Sequence, residues 1–400
     1  MKRVLFLSYY FPPRNRISSY RAAGFCRHLP GFDWDPVVIC EDWPAHAPDY
    51  DEQLLSGLEG VETHRIQSYG PRGFNRFLIR NVYPWIFPHK TPYNWWKIAR
   101  QKAIELCEAN SFKAILATHD PLPTLSIASE ISSRFGVPWV ADLRDSWNMH
   151  KLSSPRKQRT IASQEKRLAG MADEVVSVSG EMSDELARIL NRPVQTICNG
   201  FDAFSSSDPK KPPREIFSIL YAGNVTLRRQ DPMGLLQAVQ KCVSEGRIPA
   251  ELIQVNFLGA SPDALRSLDR KKINDVPICF EPRATRRQAL DRMANSTILW
   301  VLAHQGEKGV MTGKIFDYLG SGRPIISAPD DGGEINKLLN RTKAGVSLTE
   351  PNEIALKLEQ WFGQWQETRF FQLNVNQNEV LKHSRERKTE ELARVLDSLC

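Results

Sequence analysis

Short apolar runs recur along the chain and alternate with longer segments whose apolar positions return every three to four residues. The runs "RVLFLS", "PVVIC", "AILAT", "PWVAD", "EVVSVS" and "VQTIC" have strand length and predict one sheet. "FSILYAG", "IQVNFLG", "PICFE", "TILWVLA", "RPIIS" and "AGVSL" predict a second. Helix-length segments such as "PTLSIASEISSRFG" and "DPMGLLQAVQKCVSEG" separate most of them. Strands alternating with helices imply α/β architecture: parallel sheets covered on both faces, built from right-handed crossovers. The two series part at "NGFDAFSSSDPKKPPREIF", rich in Ser, Pro and Lys and without periodicity, so a linker is expected at about residues 201–215. The expected organisation is one doubly wound domain over residues 1–205 and a second over 206–375. The helical, heavily charged end, 376–400, is expected to fold back onto the first. Two such domains facing each other form a central cleft, with ligands outside the carboxyl ends of the strands.

Length agrees with this division, because 400 residues exceed one ordinary core and suit two domains of roughly 200 residues each. The longest apolar runs fall far short of the ~20 residues that span a bilayer. "MKRVLFLSYYFPP" has two basic residues ahead of apolar ones, but the run is too short for a signal peptide and reads as a buried first strand. Seven scattered cysteines without a close CxxC pair suggest neither a disulfide framework nor a zinc site, so the cytoplasm is the expected compartment. The net charge of +7 favours anionic partners. It is concentrated: from Thr63 to Ile104 there is no Asp or Glu, while Arg65, Arg72, Arg76, Arg80, Lys90, Lys97, Arg100 and Lys102 alternate with aromatic residues. That segment either meets an anionic membrane or a lipid-linked ligand, or packs internally with its arginines solvated.

Candidate chemistry lies just after strands. "SYYFPPRNRISSYRAAG" leads into a helix beginning near Ser18, with Ser18 or Ser19 as its cap; it lines the cleft or is an ordinary βα loop. "HDPLPT" places His119 and Asp120 at a strand's carboxyl end, and "ADLRDSW" places Asp142, Arg144 and Asp145 at the next, where the three charges can also pair with one another. "YAGNVTLRRQDPMGLL" sets Arg228 and Arg229 before a helix start, where guanidinium forks suit a diphosphate. "FLGASPD" and "FEPRATRR" are further strand-to-helix corners whose backbone could meet a nucleobase. In "GEKGVMTGKIFDYLGSGRPIIS", Gly306, Gly309 and Gly313 let backbone N–H groups converge on an anion and Lys314 lies in the first helical turn. Asp317 follows at i+3 on the same face, able to accept from two neighbouring sugar hydroxyls or to pair with Lys314.

In order and spacing these segments resemble the retaining glycosyltransferases of family 4, which have the GT-B fold of two doubly wound Rossmann-like domains. "YYFPP" resembles the family's first loop, "THDP" its histidine motif, and "ADEVVSVSGEMSDEL" and "ICNGFD" its "SxxxxxxL" and "NGVD" segments. "YAGNVTLRRQDPMGLLQAV" is similar to "GRLxxxKGxxxLLxA", and "GKIFDYLGSGRPIIS" to "KLFEYLAAGKPVI". The resemblance implies transfer of a sugar from a UDP- or GDP-sugar to a hydroxyl acceptor, lipid-linked or part of a cell-surface polysaccharide precursor. The configuration would be retained, with no metal or other cofactor required. It implies catalytic roles for His119, Arg229 and Lys314. Donor binding would fall to Asn224, Arg228, Gly259, Arg283, Glu307, Val310, Met311, Thr312 and Asp317, and acceptor contacts to Ser18, Ser19 and Asp145. Gly309 falls where the family has its first glutamate, with Glu307 two residues earlier as candidate substitute; Asn224 stands where arginine is usual. Rival readings keep the fold, as a nucleotide-sugar epimerase or an inactive nucleotide-sugar-binding relative. Nucleic acid is not an expected partner, since no RNA- or DNA-binding motif occurs.

Overall fold

The computed structural model describes residues 1–47, 49–67, 92–144, 155–202, 215–265, 268, 272–304, 311–369 and 373–400. The chain forms two compact units, Met1–Asn199 with Arg385–Cys400, and Gly200–Ser384.

The first unit holds a parallel sheet of β1 (Lys2–Leu7), β2 (Trp34–Glu41), β3 (Glu62–Ile66), β4 (Ala114–His119), β5 (Trp139–Leu143), β6 (Glu174–Ser177) and β7 (Gln195–Thr196), in the order β3-β2-β1-β4-β5-β6-β7. Helices α1 (Ile17–His28), α2 (Tyr93–Ala109), α3 (Pro123–Phe135), α4 (Pro155–Ala169) and α5 (Gly180–Leu190) connect the strands. Alternate strand residues serve opposite faces, as the period of two requires. Leu5, Leu7, Val37, Ile39, Ile115 and Ala117 pack with residues of α2 and α3, while Val4, Phe6, Val38, Cys40 and Leu116 pack with α1. Strand β3 was not expected. It is an edge strand, "ETHRI", with only Ile66 buried, so it carries no apolar run to announce it.

The second unit repeats the plan with β8 (Phe217–Ala222), β9 (Ile253–Leu258), β10 (Ile278–Glu281), β11 (Ile298–Val301), β12 (Ile325–Ser327) and β13 (Gly345–Ser347), in the order β10-β9-β8-β11-β12-β13. Its helices are α6 (Met233–Ser244), α7 (Arg286–Ala294), α8 (Gly313–Ser321), α9 (Glu334–Thr342), α10 (Pro351–Thr368) and α11 (Gln377–Leu381). Phe217, Ile219 and Tyr221 of β8 face a core supplied by α6 and α10, including Trp361 and Trp365. A break after α11, where His383 N–H donates to Val380 O and Ser384 N–H to Leu381 O, divides the terminal helical segment. The last helix, α12 (Arg385–Asp397), belongs to the first unit, where Leu392, Val395 and Leu396 pack in the α1 core. In both sheets the strand order reverses beside the first strand, at β1/β4 and β8/β11, and such a switch point opens a crevice at the strands' carboxyl ends.

Candidate functional site

In the second unit, β8 runs out at Ala222 into Gly223, whose φ of +127° favours glycine. Lys314, in the first turn of α8, crosses this glycine so closely that a Cβ there would lie 2.3 Å from its Nζ. The ammonium donates to the Tyr221 hydroxyl at 3.0 Å and sits 4.5 Å from the ring centroid. That hydroxyl in turn donates to Asn224 O at 2.7 Å. The following loop is folded around buried Gln230, which accepts from Thr226 N–H at 2.9 Å and donates to Leu302 O at 3.0 Å, just beyond β11. Arg228 is exposed and Arg229 half-buried in the turn at 227–229. Asp231 accepts from Met233 N–H at 2.9 Å and so occupies the start of α6 itself.

Helix α8 begins after Thr312 with no side-chain cap and no acidic residue in its first turn, so no carboxylate of that turn balances its positive end. Gly322, in the left-handed region, ends it. Lys314 and Asp317 share a face without pairing with each other. The Asp317 carboxylate, on a residue only 6% exposed, is gripped by the Arg286 guanidinium: Nη1 donates to Oδ2 at 2.5 Å and Nη2 to Oδ1. Arg286 opens α7, whose start is set by a reciprocal capping box of Thr285 and Gln288. Gly259, φ +84°, ends β9 beside Arg283, which is exposed. Met311 is buried and Thr312 half-buried, while Glu307 and Val310 lie outside the described residues.

In the first unit, His119 ends β4, buried, with Nε2 3.2 Å from Oε1 of buried Glu165 on α4. Arg144 donates to the carbonyls of His119 and Asp120 at 2.8 and 3.2 Å. Of the charges in "ADLRDSW", Asp142 and Arg144 therefore do not pair with each other. Asp142, fully buried, instead takes a fork from Arg21 of α1 at 2.9 and 3.1 Å and a bond from Thr118 at 2.9 Å. Burial pushes the Tyr10 hydroxyl pKa up, and neighbouring Asp120 adds to this. Helix α1 begins at Ile17 behind extended Arg16, which makes no side-chain cap; Ser19 and Tyr20 N–H both donate to Arg16 O. Neither Ser18 nor Ser19 is the cap: Ser18 is half-buried in the first turn, and the buried Ser19 hydroxyl has no hydrogen-bond partner. Asp145 lies outside the described residues, as do residues 68–91 of the acid-free segment.

Tyr221, Arg286 and Glu165 were absent from the sequence-derived set. Each lies in a strand or helix whose apolar spacing or charge gives it an ordinary reason to be there. "FEPRATRR" marked the corner of Arg286, without its partner.

Two doubly wound parallel sheets, each with a switch point beside its first strand, are the architecture of the GT-B fold. The structure of HepE from Anabaena with UDP and glucose is similar over all of both chains, at 16% identity and a TM-score of 0.67. The same Anabaena protein with UDP-glucose gives 15% and 0.66, again over all of both chains. A glycosyltransferase of Rickettsia africae gives 12% and 0.61 over 100% of this chain and 98% of that one. No curated protein matches the chain. Residues 18–200 match the family described as the glycosyl transferase 4-like domain. Over those residues, a little under half of the chain, it resembles that domain, and its fold is the one found in GT-B glycosyltransferases.

Proposed function

We propose that the protein transfers a sugar from a nucleoside diphosphate sugar, UDP- before GDP-linked, to a hydroxyl acceptor with retention of configuration. The observation that carries this reading is the Lys314 ammonium laid over Gly223 at the switch point, with Arg228 and Arg229 in the loop that follows the same strand. A cation held there suits a diphosphate, and relatives of the same fold are known with UDP and UDP-glucose. The acceptor oxygen forms a bond to the anomeric carbon on the face from which the diphosphate departs, and the acceptor proton passes to a phosphate oxygen of the leaving group. Lys314 and Arg229 stabilise the charge that develops on that group. Asp317 holds the ribose hydroxyls, with Gly259, Arg283, Asn224, Met311 and Thr312 around the nucleotide. His119 contacts the transferred sugar, and Ser18 and Ser19 lie on the acceptor side.

The acceptor class is a lipid-linked or cell-surface polysaccharide precursor at the inner face of a membrane. On α2, exposed Ile98 and Lys97 beside Tyr93 and Trp96 support peripheral contact with anionic lipid. No described helix is long and apolar enough to cross a bilayer. Co-sedimentation with phosphatidylserine vesicles, but not neutral ones, is expected; equal partition removes the membrane contact from the proposal.

The donor assignment is tested by thermal shift with UDP, GDP, dTDP and ADP and their sugar conjugates. A nucleotide at about 100 times its dissociation constant adds roughly 2.7 kcal/mol of stability. A shift with one base names the donor, and sugar transfer to an added acceptor separates this enzyme from an inert binder. Interconversion of UDP-N-acetylglucosamine without acceptor would make it an epimerase, the activity after which a Listeria monocytogenes protein of similar fold is named.

A further inference from the structure

We infer that Arg286 is a positioning residue: its fork sets the plane in which Asp317 meets the ribose diol already assigned to it. The inference rests on the donor reading above. Sequence spacing allows Asp317 to pair with Lys314, one turn away, but in the structure Lys314 goes to Tyr221 and Asp317 to Arg286. The Asp317 side chain is 9% exposed, and a carboxylate so enclosed requires a partner. Arg286 provides one with a fixed plane, engaging both carboxylate oxygens through two separate nitrogens.

A fork of this kind uses one acceptor position on each oxygen. Each oxygen keeps a second, so a carboxylate held flat by the guanidinium can still accept from two vicinal hydroxyls. The capping box at Thr285 and Gln288 fixes the backbone from which Arg286 reaches, and α8 fixes that of Asp317. The diol acceptor is thereby held on two rigid elements. Lys314 stands one turn earlier on the same face of α8. Neighbouring Cβ atoms at that spacing are about 5–6 Å apart, a span compatible with a phosphate at the lysine and a ribose at the aspartate. Without the fork, Asp317 would be free to rotate towards Lys314 and lose the diol geometry, while the lysine would still meet phosphate.

The experiment is titration calorimetry of the full chain with UDP and with 2′,3′-dideoxy-UDP, run in parallel with the GDP pair. Variants are Arg286→Gln, Arg286→Lys and Asp317→Asn, each checked for a cooperative melt. The unaltered chain is expected to prefer the ribonucleotide by about tenfold or more, since hydrogen bonds to a charged group are strong. Arg286→Gln and Asp317→Asn are expected to bring that preference to within about threefold of unity, with affinity for the dideoxy nucleotide little changed. Arg286→Lys keeps the charge but cannot fork, so it loses the preference too; if Arg286→Gln does not fold, this variant decides. Retained preference in the folded Arg286 variants, or equal loss for both nucleotides, overturns the inference. Binding of UDP or GDP by the unaltered chain without diol preference also overturns it, leaving the donor reading intact. If neither nucleotide binds, the donor reading falls, and this inference with it.

Discussion

At the scale of single residues, the candidate phosphate corner depends on a missing side chain. Gly223 leaves the space through which Lys314 reaches Tyr221, and its φ of +127° is strained for any other residue. Gly223→Ala is therefore expected to act on the site by displacing the lysine, and to weaken nucleotide binding about as much as Lys314→Ala does. Isothermal titration of both variants with UDP checks the equivalence; an alanine variant that binds like the unaltered chain counts against the role of the crossing lysine. In a transfer assay, Lys314→Ala and Arg229→Ala are each expected to reduce turnover by ~10²–10³-fold, the cost of removing a preorganised charge-stabilising group. Near-normal rates in both would displace the assignment. The close pairing of Asp317 with Arg286 shows why residue type and spacing alone mislead here. A lysine at i−3 is an available partner on any helix, but a guanidinium on the facing helix engages both oxygens at once.

Among the elements, α9 illustrates how a helix start outside the site is held. Asp331 accepts from the backbone N–H groups of Gly333, Ile335 and Asn336 at 2.9–3.0 Å, satisfying donors the helix itself cannot. Asp331→Ala is expected to lower stability by ~1 kcal/mol, read as a shift in the urea midpoint at constant slope. Its neighbour Asp330 adds a pH dependence. Burial pushes its carboxyl pKa up, but bonds from Asn336, Gly332 N–H and Ser347 pull harder, and the net value lies below the usual aspartate range. A folded-state pKa below the unfolded one stabilises above the unfolded value and is lost as pH falls through the folded one. Asp330→Asn should therefore be less stable than the parent at pH 7, with the gap closing below about pH 4. A gap that does not begin to narrow as pH falls below about 4 would mean that the carboxylate's charge contributes little.

Across the whole molecule, the chain leaves its first unit at Asn199 and returns to it at Arg385. Both crossings are tied to α1: Arg21 donates to Cys198 O at 3.1 Å, and Arg385 donates to Tyr20 O at 2.8 Å while lying over Gly24. Helix α12 then contributes Leu392, Val395 and Leu396, each at most 3% exposed. Burying such side chains stabilises by roughly 1.5–3 kcal/mol apiece, so together they approach the whole stability of a domain, about 5–15 kcal/mol. A chain ending at Ser384 is expected to lose cooperative folding of its first unit. Circular dichroism melts and solubility after expression would reveal it, and an unchanged melt would show that α12 is dispensable. All but the last residue of the family match at 18–200 lies in the unit that this helix completes.

The sequence by itself determined the interleaving of strands and helices, two parallel sheets, the end of α8 at Gly322 and the placing of Lys314 and Asp317 on one helical face. These follow from local periodicity and backbone preference, which act within a few residues. It did not reveal β3, whose single buried residue leaves no pattern to read. Nor could it name the partners of the charged groups. Arg286 meets Asp317 across 31 positions, Lys314 meets Tyr221 across 93, and Arg21 meets Asp142 across 121. Those pairings exist because the strand order reverses at β1 and β8 and brings distant strand ends side by side. Which carboxylate a guanidinium reaches is a property of that arrangement, and only the tertiary structure decides it.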